Sequence, residues 1–276
     1  CTDVGDRRLT MGAMLDFQGI YAVFEPWILS FGLAMVRIGA LFITTPVFSM
    51  TMIPTAIKAA MVALLTMLVM TNQQPIPNVA QLNAVALMGA VIIEACVGGV
   101  MGLAVMLLFG ALAFTGQLIG IQMGFAIANV VDPTTNQQNG VLAQVLNLMG
   151  LSLFIAFDGH IYMLQALFQS FNVIPLGGAN PQYSTLIGAL IHQGSNIFAI
   201  GLRIGLPVVC VVLLVNVGLA TLARTVPQVN IFVVGFMITI SLGMLVLGLA
   251  LPTTAAVFKG VMETTIQDAV GMLRYF

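Results

Sequence analysis

Six apolar runs, separated by short polar or Pro- and Gly-bearing stretches, set the pattern of the chain. The first covers roughly Ile20 to Thr44, with Arg37 near its far end, and the second, Ala59 to Met70, is barely a span. The third stretches from about Ala84 to Phe114 and includes Glu94 and the close pair Gly98 and Gly102. The fourth, Val141 to Phe171, contains Asp158-Gly159-His160, and the fifth, Leu186 to Leu222, contains Arg203 and Pro207. The sixth, Ile231 to Leu251, ends at Pro252, and an amphipathic tail with Lys259, Glu263, Asp268 and Arg274 follows. Pro46 and Pro54, Pro75 and Pro77, the string NVIPLGGANPQ and Pro227 mark the reversals between runs, because Pro and Gly punctuate regular structure. Apolar runs of this length predict an all-α chain, a polytopic membrane-type bundle of about six long helices.

Run length adds a second expectation. At 1.5 Å per residue, runs three, four and five would be about 45 to 55 Å long if unbroken, against a hydrocarbon core of about 30 Å. Tilt absorbs part of the excess. The helices are therefore expected to kink, at Gly98-Gly99, Gly159 and Pro207, or to bury part of their length against protein instead of lipid.

One stretch departs from the pattern of clean runs. From Thr115 to Gly140 the chain reads TGQLIGIQMGFAIANVVDPTTNQQNG. Gly116, Gly120 and Gly124 are four apart and fall near one helical face, where a neighbouring helix can approach closely. Gln117 and Gln122 interrupt the apolar character, FAIANVV follows around Asn129, and Asp132-Pro133 stops any helix. TTNQQN is polar but uncharged. Irregular backbone at membrane depth is tolerated only inside protein or around a water-filled cavity. Two readings are open, a loop buried inside an assembly that lines or blocks a passage, and an ordinary connection between spans.

Composition fixes the class. The 276 residues are 60% hydrophobic and 6% charged, with a mean hydropathy of +1.09, whereas soluble domains carry about a quarter charged residues. The net charge of -1 comes from eight basic and nine acidic residues scattered singly, so no basic cluster exists for nucleic acid or anionic headgroups. Cys1, Cys96 and Cys210 are an odd, widely spaced set that forms neither a disulfide framework nor a metal motif. Residues 1–14 read as a leader or as an artefact of the gene start, with Met11 and Met14 as alternative starts, and carry no cleavable signal-peptide pattern.

Chemistry is sparse. His192-Gln193-Gly194-Ser195 places an imidazole near a hydroxyl, but without a nucleophile elbow or an orienting acid. No glycine-rich loop carries the Lys-Ser or Lys-Thr of a phosphate cradle. No enzymatic activity, cofactor or metal is expected. The ionisable residues inside apolar runs are Arg37, Glu94, Asp158, His160 and Arg203, which lipid disfavours unless they face a cavity or each other. They read either as an ion or proton relay or as structural pairs, with Glu94 against Arg37, Arg203 or a neighbouring subunit. Eighteen Met residues, several near the broken segment, suit either an irregular core or a deformable seal.

The strings LIGIQMGFAIANVVDP, VLAQVLNLMGLSLFIAFDGH and NVIPLG resemble the FliR family of flagellar type III export gate proteins. So do R-I-G-A-L-F-x-x-x-P-V-F at Arg37 to Phe48, I-P-x-x-I-K at Ile53 to Lys58, and LPVVCVVLLVNVGLATLARTVPQVNIFVVGF. The resemblance covers nearly everything after about residue 15. It implies a FliP-like helical part over 15–180, a FliQ-like hairpin over 181–258 and a tail over 259–276. It also implies a plug loop at 123–135, with Met123, Gly124, Phe125, Ile127, Asn129, Val130, Asp132 and Pro133 as plug or pore residues. Ile127 and Thr134 stand where other members tend to have Phe and Gly. The implied setting is the bacterial inner membrane within the flagellar basal body. Implied partners are FliP and FliQ subunits, FlhA and FlhB, and unfolded flagellar export substrates. An injectisome gate subunit of the same family and a small-solute secondary transporter are the alternatives; transporters tend to show paired broken helices in two related halves, and a single such segment is present.

Overall fold

The structure is a computed structural model that describes residues 4–50, 53–71, 73, 83–125, 140–178, 182–225 and 231–276. All regular structure among the described residues is helical: α1 (Val4–Thr44), α2 (Pro46–Ser49), α3 (Thr55–Met70), α4 (Ala84–Gln122), α5 (Val141–Ala156), α6 (Gly159–Val173), α7 (Tyr183–Thr225) and α8 (Ile231–Met272), closed by a 3-10 turn at Leu273–Tyr275. Four of these helices are long and apolar enough to cross a membrane, five if the bent pair α5 and α6 counts as one span. The polytopic helical bundle expected from the runs is the architecture found.

Helix ends follow local chemistry. Pro46 disfavours helical geometry in the residue before it, and Thr45 is extended at φ -80 and ψ 122, which separates α1 from α2. Run four is broken where expected, just before Gly159: α5 and α6 meet at 67°. Asp158 sits there at φ 58, a left-handed conformation that Asp tolerates better than most residues. Its carbonyl accepts the Ile161 and Tyr162 N–H groups at 2.8 and 3.1 Å and starts α6. Gly98-Gly99 and Pro207, the other expected kink sites, lie inside helices that continue through them.

Pro252 does not end the last helix, contrary to the expectation from its position after run six. α8 runs on to Met272. The residues beyond Pro252 bury Thr254, Phe258, Met262, Ile266 and Ala269, a stripe at helical spacing whose packing outweighs the one backbone donor that Pro lacks. The amphipathic tail is thus part of α8.

Contacts divide the chain into two compact units, residues 1–103, 165–183 and 270–276 in the first and 104–164 and 184–269 in the second. In the first unit α1 buries Leu33, Ala34, Ile38, Leu41 and Phe42. It meets α4 closely, since a Cβ at Gly98 would overlap the Arg37 carbonyl and one at Gly102 would overlap the Thr44 hydroxyl. Phe42 stacks on Phe48 with ring centroids 4.4 Å apart.

In the second unit the C-terminal half of α4, mostly apolar apart from Thr115, Gln117 and Gln122, buries Ala104, Val105, Leu108, Ala111, Leu112 and Ile119. α5 approaches it where a Cβ on Gly116 would overlap the backbone of Ala143, and where Gly150 leaves room for Leu112. α7 approaches at Gly201 and Gly205, which face Thr115. The Thr115 hydroxyl lies 2.7 Å from the Gly201 carbonyl and 2.8 Å from that of Ala111. Small residues let membrane-type helices pack backbone to backbone, where dispersion contacts replace a hydrophobic driving force.

Candidate functional site: the capped end of α4

α4 stops at Gln122, ten residues before Asp132-Pro133. Gly124 has φ 87. The Phe125 N–H donates to the Gly120 carbonyl at 2.9 Å and the Gly124 N–H to Ile121 at 3.1 Å. These are the two bonds of a Schellman cap, with Gly in the left-handed position where it carries no Cβ penalty. Of the three glycines spaced four apart, Gly116 packs tightly and Gly120 has only the Leu142 side chain nearby, at 4.0 Å. Gly124 lies past the helix and caps it.

The cap is held in a collar of small residues from α8. A Cβ on Gly243 would overlap the Met123 side chain, and Met123 is 1% exposed. The Thr239 hydroxyl lies 3.2 Å from the Phe236 carbonyl and 3.4 Å from that of Met123. Phe125 meets Phe236 edge to face at 6.4 Å between centroids. Where the chain returns as α5, Leu142 and Leu146 join Met123 and Ile119 in one buried cluster with Val208, Val212 and Leu247. The segment therefore leaves and re-enters the same apolar core. Ile127, Asn129, Val130, Asp132 and Pro133 lie outside the described residues.

The buried charges form a separate cluster in the first unit. The Arg37 Nε donates to Glu94 Oε2 at 2.5 Å, with the two side chains 0% and 1% exposed. Arg37 Nη1 donates to the Ile174 carbonyl at 3.1 Å and the Ser170 hydroxyl at 3.4 Å. Its guanidinium carbon stands 4.3 Å from the centroid of the Phe171 ring. Glu94 Oε1 accepts the Gly177 N–H at 3.0 Å, and Gly177 has φ 70. One ion pair thus joins α1, α4 and the turn after α6. Arg37 Nη2 has no partner among the described residues. Arg203 is exposed on α7. His160 Nδ1 is buried without a hydrogen-bond partner among the described residues, and the exposed His192 is bonded to Asn196 at 3.2 Å. Among the described residues no group of three His, Cys, Asp or Glu could hold a metal ion.

The collar residues Thr239, Gly243 and Leu247, and the pair Gly201 and Gly205, were not singled out from sequence. Their signal is the same four-residue step that marks Gly116, Gly120 and Gly124.

An all-helical apolar bundle with small-residue packing, a buried ion pair and a capped interruption in its core defines a polytopic membrane protein. The family of bacterial export proteins, family 1, matches residues 28–265. The flagellar biosynthetic protein FliR of Pectobacterium carotovorum subsp. carotovorum is 39% identical over 226 residues, 82% of this chain and 85% of that protein. FliR of Escherichia coli (strain K12) is 31% identical over 229 residues, 83% and 87% of the two chains. FliR of Bacillus subtilis (strain 168) is 29% identical over 246 residues, 88% and 94% of the two chains. The chain belongs to this family of bacterial export proteins, with FliR relatives across most of its length. It is a membrane-embedded component of flagellar export.

Proposed function

We propose that the chain is a pore-forming subunit of the flagellar type III export gate in the bacterial inner membrane, assembled with FliP and FliQ subunits and passing unfolded flagellar proteins. Residues 123–135 act as its internal plug. In this reading 15–180 is the FliP-like part, 181–258 the FliQ-like hairpin, and FlhA and FlhB couple the gate to its energy source. The observation that carries it is the position of the loop's two ends. Met123 and Leu142 are buried in one core cluster, so the stretch between them, whose single charged residue is Asp132, starts and finishes among apolar helices. Backbone there must be enclosed by protein or line a cavity. A passage for many different unfolded chains also needs a surface with little fixed charge, and Asp132 is the single charged side chain in residues 123–135.

The test is the mass of the complex purified in mild detergent from cells expressing the export genes. A hetero-oligomer containing FliP and FliQ is expected. A stable monomer or homodimer that moves a small solute in vesicles defeats the gate and favours a secondary transporter.

A further inference from the structure

The first unit is not continuous along the chain. It joins residues 1–103 to 165–183 and to 270–276, while the stretches between them, 104–164 and 184–269, belong to the second unit. The third piece is the shortest, and it has a definite seat. α8 ends at Met272, and Leu273–Tyr275 tightens into the 3-10 turn, closed by the Phe276 N–H on the Leu273 carbonyl at 3.2 Å. Met272 and Leu273 are buried, whereas Arg274 and Tyr275 are exposed. The Tyr275 carbonyl accepts the Gln182 N–H at 2.7 Å. That bond satisfies two groups at once, a carbonyl just past the end of α8 and an N–H just ahead of α7, both of the kind that a helix terminus leaves open.

Gln182 belongs to the same connection that the buried ion pair holds. Ile174 and Leu176 are buried. The Ile174 carbonyl accepts Arg37 Nη1, and the Gly177 N–H donates to Glu94 Oε1. Between them the Gly178 N–H closes on the Pro175 carbonyl at 3.1 Å with Gly177 at φ 70, a turn that takes Gly in its third position. The connection from α6 to α7 is thus fixed twice, near its start by side chains of α1 and α4 and near its end by the backbone of residue 275. The two holders differ in timing. Synthesis runs from the N-terminus, so Arg37, Glu94 and Gly177 are all in place long before Tyr275 is made. Until then the connection has one holder, and a stretch with few fixed contacts opens locally at low free energy.

We infer that residues 270–276 are a clasp whose docking completes the first unit last. Leu273 directly follows α8 and reaches its seat at the end of a formed helix, so closure of the first unit waits on the folding of α8. An unfinished or misfolded α8 leaves the α6–α7 connection open at Gln182, with only the ion pair to hold it. The device lies within one chain and stands whether or not the gate reading does.

Hydrogen exchange followed by mass spectrometry, on the full chain with its co-purifying partners, tests the clasp. Leu273→Asp puts a charge into the seat. Leu273→Ala removes the anchor without adding one, which keeps the measurement open if the first variant does not accumulate. Exchange over residues 174–182 should rise about tenfold or more in both, because losing a buried Leu side chain costs more than one decade of opening. Exchange in α5, Val141–Ala156, which belongs to the second unit, should stay as in the unaltered chain. A chain stopped after Ala269 should show the same pattern. Unchanged exchange over 174–182 in the Leu273 variants overturns the clasp. So does an equal rise in α5, which marks general destabilisation.

Discussion

Arg37 has no exposed surface, yet it meets a carboxylate on α4 and a hydroxyl, a carbonyl and an aromatic ring on or just after α6. A buried guanidinium is costly to desolvate, and that cost is offset only while its partners stay in place. Glu94 returns the favour by holding the Gly177 N–H, so the same carboxylate spans a helix and a turn. Removing one partner leaves the other buried and uncompensated, a loss of about 3–5 kcal/mol. Glu94→Ala or Arg37→Ala alone should therefore lower folded yield and detergent thermal stability sharply. The double change Arg37→Met with Glu94→Met should recover most of the loss. Recovery fails to appear if the pair has a role beyond holding these elements together, and thermal unfolding of the three purified variants measures it. From sequence, Glu94 had two candidate cations. The choice between Arg37 and Arg203 depends on which faces of α1 and α7 turn inward, and no local pattern states that.

Among the elements, the end of α4 carries the most functional weight. Its cap depends on a residue at φ 87, a conformation that costs an L side chain about 1–2 kcal/mol and that Asn tolerates better than most. Gly124→Asn should be close to neutral. Gly124→Val should shift where the helix ends and hence where the segment after it begins, with reduced export as the measured outcome in a motility or secretion assay. Equal export by both variants counts against the cap as the determinant of the loop's start. The break before α6 and the continuation of α8 past Pro252 make a related point. A Pro in sequence marks a lost donor, but whether the helix survives depends on the packing on either side of it. Phe258 and Met262 hold α8 together, whereas Asp158 at φ 58 allows α5 to stop.

At the scale of the whole molecule, the loop leaves and re-enters a core built from α4, α5, α7 and α8. Its nearest buried neighbours on either side, Met123 and Leu142, share that core, while Gly140 is half-buried and Val141 exposed; under the proposed function the loop is an internal closure and not a surface connection. Shortening it by deletion of 126–135, which spares the cap and the Gly243 collar, should leave assembly intact and make the cell envelope permeable to small dyes or ions. Unchanged permeability in an assembled gate rules the plug out.

Much of this protein was legible before any coordinates. The apolar runs fixed the helical class and the span count to within one or two, because lipid forces backbone hydrogen bonds to close within each segment. The break at Gly159 and the abnormal length of the later runs were legible for the same reason. Side-chain pairing and close approach were not, since they depend on helix rotation and on which glycine meets which neighbour. Gly116, Gly120 and Gly124 look equivalent along the chain, yet one packs against backbone, one faces a leucine and one caps a helix. Three-dimensional packing alone separated those roles: a missing Cβ has no meaning until a neighbour fills, or leaves empty, the space it vacates.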